Sequence, residues 1–579
     1  MLALGFGLSL AEAAPPEIAS LGVRNAASFG FARSGGGIAP GSIFVVFGAG
    51  LGPETPLQGT IPYPSSLPDD STGTRVVIHS LESDTTVAAY LLYTSASQVM
   101  AILPSETPLG QAEVTVTFEG ETSEPQELNI LPRAIGIFTQ GMDGRGPGVI
   151  QNVVSASDQP LNQLTKPALP GQYIVLWATG LGAISEPDNA EPPVGSVADD
   201  VEVEIAGTRL KASYAGRAPG FPGVDQINVR LPDDGEPLDN CYVALRVWAG
   251  ERPSQQVVFS AAASPGPCKH PYGFSPETLA SLDAGGRVAL GEIRLNRNAQ
   301  EISLPDFEPS RSSVSWASGG FFAVDALDLA IFAPPLGGDG LGEGLGCQIV
   351  SSLGVAAIWF NSDNFVVQAP ESRIVQLDAG ESLQLAGPGS KQLLLSRHPA
   401  NGSPLVFDYF DQQTGPDGSC CQSLPGDFLE SGEWTLQGAG GTDVGPFEET
   451  LQLPPFPEME VPETVNHLQD LELTWPSVGY GESDRIVVGI GSLTEVEIGG
   501  QTLYVTRSQV RCSVPAAEGR VTLPASLMAD TLTPSGERQG SVFIGVIRPE
   551  EDAAAFSAPG IDHGIVRFTY SRFESVDIE

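Results

Sequence analysis

The 579-residue chain carries 70 acidic and 28 basic residues, a formal charge of −42, so its surface repels nucleic-acid phosphates and anionic lipid headgroups. Nucleic-acid partners are excluded on that ground, and the charges are spread along the chain rather than gathered into an acidic tail. The length calls for several domains, and 68 Gly with 49 Pro fit many short strands joined by turns.

Residues 2–10 are apolar, and Ala11-Glu12-Ala13 has the small-x-small form of a cleavage site. Residues 1–13 are therefore expected to be a signal peptide, although its positive n-region is missing. The chain is expected outside the cell or on its surface. The apolar stretch is too short to span a bilayer, and no later segment reaches that length.

Residues 39–52, APGSIFVVFGAGLG, run an apolar strand into Gly48, Gly50 and Gly52. A dinucleotide loop needs its third glycine three positions after the second, then a helix whose amides face the pyrophosphate. Here the third glycine comes two positions on, and Pro53, Pro56, Pro62 and Pro64 bar a helix. The stretch has an echo at 169–182, LPGQYIVLWATGLG, with Ala178 in place of the first glycine. QVMAILP at 98–104 is likewise echoed by QINVRLP at 226–232, and Asp69-Asp70 and Asp199-Asp200 each precede an alternating run. Two copies of one unit follow, over residues 15–132 and 133–263. Runs at 76–78, 114–118, 201–205 and 242–248 alternate or are apolar, separated by Gly, Pro, Asp and Ser. Each copy reads as a two-sheet sandwich.

The six cysteines are Cys241, Cys268, Cys347, Cys420, Cys421 and Cys512, with no C-x-x-C among them. That excludes zinc-ribbon, redox and haem-attachment motifs, and an even count in an exported chain points to disulfides. Cys241 and Cys268 flank one strand-rich segment and are expected to pair. The adjacent Cys420 and Cys421 are expected to take separate partners, Cys347 and Cys512.

Residues 264–579 hold no further copy but still read as strands, at 356–360, 365–368, 392–395, 405–410, 471–475, 485–490 and 542–546. Short helices are expected only at 276–282 and 525–530. A Gly-rich stretch (GGDGLGEGLG, 337–346) and a Pro-rich one (LPPFPEMEVPE, 453–463) place boundaries near 348 and 458. The expected division is a β-rich domain at 264–348, an immunoglobulin-like sandwich at 349–458 and a C-terminal sandwich at 459–579. The fold class is all-β, with serial immunoglobulin-like β-sandwich domains and only short helices.

Residues 20–260 resemble a family of uncharacterised exported bacterial proteins with a tandem β-sandwich module, related in style to immunoglobulin-like and IPT/TIG domains. Val23-Arg24-Asn25-Ala26-Ala27-Ser28-Phe29 matches its opening V-x-N-A-A-S-F, and Ala39 to Ile43 and Phe47 to Leu51 match the strand and turn that follow. In the second copy the matching segments are Ile135-Gly136-Ile137-Phe138-Thr139, Pro170 to Gly182, Tyr214 to Phe221 and Gln226 to Pro232. The first copy departs at Gln98-Val99-Met100, where the family has Q-I-N. VRCSVPAAEGRVTLPASL at 510–527 is more loosely similar to C-terminal modules of the same proteins. The resemblance implies location and architecture and carries no catalytic or ligand residues.

Signatures of chemistry are absent. None of His79, His270, His398, His467 and His563 begins an H-E-x-x-H, and there is no G-x-S-x-G, P-loop or EF-hand loop. GGDGLGEGLG is a single copy of a calcium nonapeptide at best, with Gly342 where an Asp is needed. No cofactor is expected. Calcium held loosely by acidic loops such as Asp69-Asp70 or Asp199-Asp200 is the one metal considered, and turn residues are the plainer reading. Trp177, Trp248, Trp316, Trp359, Trp434 and Trp475 lie in or beside apolar runs, so core packing is expected of them.

These features point away from an enzyme and towards a secreted or cell-surface structural and interaction protein, adhesive or self-assembling into extracellular fibres. Protein or glycan partners at the cell surface are expected, with no transmembrane span. The alternative is a glycan-binding component of an adhesion or polysaccharide-processing system, which needs an aromatic platform on an exposed face.

Overall fold

A computed structural model describes residues 15–32, 36–68, 70–192, 194–195, 197–234, 238–250, 252–302, 310–332, 346–351, 374–397, 409–411, 424–498, 501–532, 535–548 and 554–579. The expected signal peptide at 1–13 lies outside them, as do Cys420, Cys421, Trp359, His398 and Asp69. The chain is all-β with short helices, and it divides into two compact units: Met1–Asp283 with Ala330–Gly338, and Ala284–Leu329 with Asp339–Glu579.

In the first unit the initial sandwich pairs β1 (Glu17–Asn25), β2 (Ile43–Ala49), β7 (Gln98–Ile102), β6 (Tyr90–Thr94) and β3 (Leu57–Gln58) in that order. The facing sheet runs β10 (Gln126–Ile130), β8 (Gly110–Phe118), β4 (Arg75–Ser80) and β5 (Thr86–Ala88), with β9 (Glu121–Thr122) beside β8. Alternation decides which side chains point in. Phe44, Val46, Val99 and Ala101 from one sheet meet Val76, Ile78, Val114 and Val116 from the other in one core.

The second sandwich repeats the plan. One sheet runs β11 (Gly136–Ile137), β13 (Tyr173–Thr179), β17 (Asp225–Arg230) and β16 (Tyr214–Arg217), with β12 (Ile150–Val153) also on β13. The other holds β15 (Thr208–Lys211), β14 (Val201–Ile205), β18 (Asn240–Ala249) and β19 (Arg252–Pro253), with β20 (Val257–Ala261) on β18. Ile174, Leu176, Ile227 and Val229 pack on Val203, Ile205, Val243 and Val247. The shared glycine signature is a turn in both copies. Pro40-Gly41 and Pro170-Gly171 each lead into a strand, with φ of 75° and 71° at the glycines and the bonds Ser42 N–H to Ala39 O and Gln172 N–H to Leu169 O closing the turns. Proline then glycine at positive φ is the chemistry such a turn requires. After Gly52 comes turn and the short β3, with no helix to present amides to a phosphate.

Cys241 and Cys268 are joined by a disulfide that ties β18 to the segment after β20. The α-helix Pro276–Asp283 closes this part, and its Asp283 carboxylate accepts from the Thr165 hydroxyl at 2.6 Å and the Thr165 N–H at 2.8 Å.

The second unit is built on long strands. Val288–Ile302 pairs antiparallel with Ser310–Val324 and parallel with His563–Ile578, and Arg485–Ile498 lies between Gln501–Pro515 and Ser535–Ile547. One ladder takes strands from both sides of positions 348 and 458. The sheet curls on itself: Phe447, on the edge strand Phe447–Leu453, packs against Phe321 at 5.8 Å between ring centres, though several strands separate them in the ladder. Trp434, Leu436, Ile486, Val542 and Tyr570 share the resulting core. The same ladder sets Cys347 opposite Cys512, which is disulfide-bonded; the expected partners Cys420 and Cys421 are outside the described residues. No helix among the described residues is long and apolar enough to cross a membrane.

Candidate functional site: the open face of the second sandwich

Each sandwich has two outward faces, and the repeat allows them to be compared row by row. On the first sandwich, the face of β2 and β7 pairs Ile43 with Ile102, Val45 with Met100 and Phe47 with Gln98. On the second, the matching rows of β13 and β17 are Tyr173 with Arg230, Val175 with Asn228 and Trp177 with Gln226. Three apolar positions, Ile43, Ile102 and Met100, have become Tyr173, Arg230 and Asn228.

The first face is sealed at its Ile43–Ile102 row. Ile43 and Ile102 are buried with Ala26 against Tyr63, Tyr90, Met100, and Phe138 and Val224 of the second sandwich. A polar clamp holds this junction. The Ile43 N–H donates to the Thr179 hydroxyl at 2.9 Å, which donates on to Gly223 O at 2.6 Å. Asp188 accepts from the Ser105 N–H at 2.6 Å and the Ser105 hydroxyl at 2.9 Å. Asp225 accepts from Arg217 and from the Leu181 N–H, and the Arg217 guanidinium also donates to Gly182 O at 2.5 Å. Burial pushes the Asp225 and Asp188 carboxyls up, while Arg217 pulls each the other way. Gly41 is required here, because a Cβ would lie 2.1 Å from the Arg217 guanidinium.

The second face is open. Tyr173 is 42% exposed and Phe221 58% exposed, and Trp177 is half-buried. The rings of Trp177 and Phe221 meet edge to face at 6.2 Å. Trp177 Nε1 donates to Gln151 at 3.0 Å, which fixes the indole, and the Gln226 amide donates to Asn228 at 3.0 Å. Tyr214, opposite Asn228, completes the middle row and donates to Arg217 O at 2.9 Å. The face has no carboxylate in these rows, and its single cation, Arg230, is met by Asp233 at 2.5 Å. The opposite outer face of the same sandwich is a charged ladder. There Glu202 and Glu204 face Lys211 and Arg209, and Trp248 is held by Glu204 at 2.7 Å under the Arg209 guanidinium at 3.7 Å.

The other sequence candidates fall elsewhere. Asp70 accepts from both the N–H and hydroxyl of Thr72 as a turn residue, and Asp200 accepts from Arg133 at 2.7 Å. No three His, Cys, Asp or Glu side chains converge among the described residues. His79 is half-buried on β4 between Glu113 and Thr86, and His270 is buried against the Tyr242 hydroxyl at 3.1 Å. Trp434 and Trp475 are core residues, as their apolar runs imply, whereas Trp316 is 43% exposed. Sequence reasoning placed Trp177 in the core as well. The difference between copies marks its neighbours, Tyr173, Asn228 and Arg230 in place of Ile43, Met100 and Ile102, while Trp177 itself stands where the first copy has Phe47.

No family model and no curated protein matches the chain. Among solved structures, a tetra-tandem repeat in the extending region of a large adhesion protein is 10% identical with TM-score 0.13, covering 97% of this chain and 98% of that one. Domains 5-6 of the S-layer protein SbsC are 12% identical with TM-score 0.15, covering 43% of this chain and 99% of that one. The Bacteroides ovatus mixed-linkage glucan utilization locus protein SGBP-B, in complex with a heptasaccharide, is 9% identical with TM-score 0.12, covering 86% and 90%. Scores of this size carry no weight for fold or function, which rest on the residues themselves.

Proposed function

We propose that this chain is a non-catalytic interaction protein of the cell surface or extracellular space, in which the first sandwich is a support and the second presents a binding face. The observation that carries this reading is one pair of matching rows: Ile43 with Ile102 is buried, while Tyr173 with Arg230 is exposed, next to Asn228 where the first copy has Met100 and beside Trp177 and Phe221. Exposed aromatics in a rigid setting are what binding surfaces use, since they supply contact area at little conformational cost. Location outside the cell draws on the signal peptide expected at residues 1–13 and on the disulfide between Cys241 and Cys268.

The reading is tested with the purified full chain on immobilised cell-envelope material. Saturable retention is expected, and it falls when Tyr173, Trp177 and Phe221 are replaced together by alanine. Absent retention, or retention untouched by the triple variant, overturns it.

A further inference from the structure

Resting on that reading of the face, we infer that its occupant is an uncharged polysaccharide chain, lying along β13 across Tyr173 and Trp177. Charge argues first. A chain of −42 leaves the outward rows of β13 and β17 free of carboxylates, and the one arginine there is balanced by Asp233 in an exposed pair. With that pair balanced, the face carries no net charge to draw in a polyanion or a polycation, so the surface favours a neutral partner. The side chains argue next. Rings that offer one flat apolar face stack on the C–H face of a sugar, while Gln151, Gln226 and Asn228 offer amide donors and acceptors to hydroxyls. Amides both donate and accept, which suits hydroxyl groups that do the same.

Geometry sets the size. Tyr173 and Trp177 are four residues apart on one strand, about 13 Å at about 3.3 Å per residue. That spacing fits an oligosaccharide rather than a single sugar. Val175 between them is buried at the floor, so the two rings stand as separate platforms above it. A peptide would instead be recognised through its backbone at a sheet edge or in a groove. This surface is the flat side of a sheet, with β17 and β12 on either flank of β13.

The full chain is run in native gels containing soluble neutral β-glucan, xylan or mannan, with polygalacturonate as the anionic control, and affinity is then measured by titration calorimetry. Retardation by at least one neutral glycan is expected, unchanged by added salt, and absent in polygalacturonate. Trp177→Ala and Tyr173→Ala each weaken it about tenfold, the loss of one stacking contact. Trp248→Ala, on the charged face, leaves it unchanged. Gln226→Ala with Asn228→Ala gives a second variant that spares the rings and also weakens binding, and thermal melts confirm that each variant is folded. Failure to bind any neutral glycan, binding only to polygalacturonate, or equal binding by Trp177→Ala overturns the inference. So does retention of a proline-rich peptide in place of sugars. If envelope retention still needs Trp177 while every glycan fails, the binding face stands and only its occupant is wrong. If both fail, the face itself is not an interaction site.

Discussion

Arg217 and Asp225 are the most exacting residues of the first unit. Both are buried, and each depends on the other as a counter-ion, with Gly182 O and the Leu181 N–H completing the set. A buried pair of this kind gains little over a well-packed apolar pair, but breaking it strands a charge. Asp225→Ala is therefore expected to lose about 3–5 kcal/mol. Asp225→Asn is expected to lose less, because the amide keeps an acceptor for Leu181 and Asp188 remains beside the Arg217 charge. Urea unfolding followed by tryptophan fluorescence measures both. A loss near the roughly 0–1 kcal/mol typical of an exposed pair would show that the junction is wet and the clamp unimportant.

At the scale of elements, β18 and the segment beyond β20 are joined by one covalent bond and a few backbone contacts, including the Cys241 N–H to Lys269 O and the Cys268 N–H to Leu164 O, each at 3.0 Å. The disulfide closes a loop of 27 residues, which the chain-entropy account values at about 3.5 kcal/mol. Replacing Cys241 and Cys268 together by serine is expected to cost about that amount in unfolding free energy, read from the urea transition. A change within error would mean that the surrounding hydrogen bonds already fix the segment. The elements also show what could be read in advance. The repeat was legible because Pro-Gly turns and alternating strands leave local marks, and those marks name the inward residues Ile174 and Leu176 as surely as Phe44 and Val46. Which outward face stays open was not legible in YIVLW, since a strand covered by neighbours and one that presents a ring have the same composition. The comparison of Met100 with Asn228 carries that information, once their rows are known. In the second unit, the parallel pairing of Val288–Ile302 with His563–Ile578 joins Leu290 to His563, a contact so remote in sequence that no local pattern marks it.

For the whole molecule the decisive feature is where the cores lie. The two sandwiches have separate cores, yet Ile43 and Ile102 share a third apolar cluster with Phe138 and Val224, and the bonds from Ile43 to Thr179 and from Ser105 to Asp188 cross the same ground, beside the Arg217–Asp225 pair. Among the described residues, the core of the second unit runs from Ile293 to Ile578. Units with their own cores unfold separately, whereas sandwiches that share a buried junction unfold together. Scanning calorimetry of the full chain is expected to show two transitions rather than one or three. Assignment follows from the variants. Asp225→Ala and the double cysteine replacement should lower the same transition, the latter by about 6 °C for a unit of this size, and leave the other in place. A neutral glycan that binds the open face should raise that same transition by mass action. If Asp225→Ala splits the first transition in two, the clamp is what makes the sandwiches one cooperative body, and the open face owes its rigid setting to it. A single transition in the intact chain, or an effect of the cysteine variant on both, would show that the two units do not fold as separate bodies.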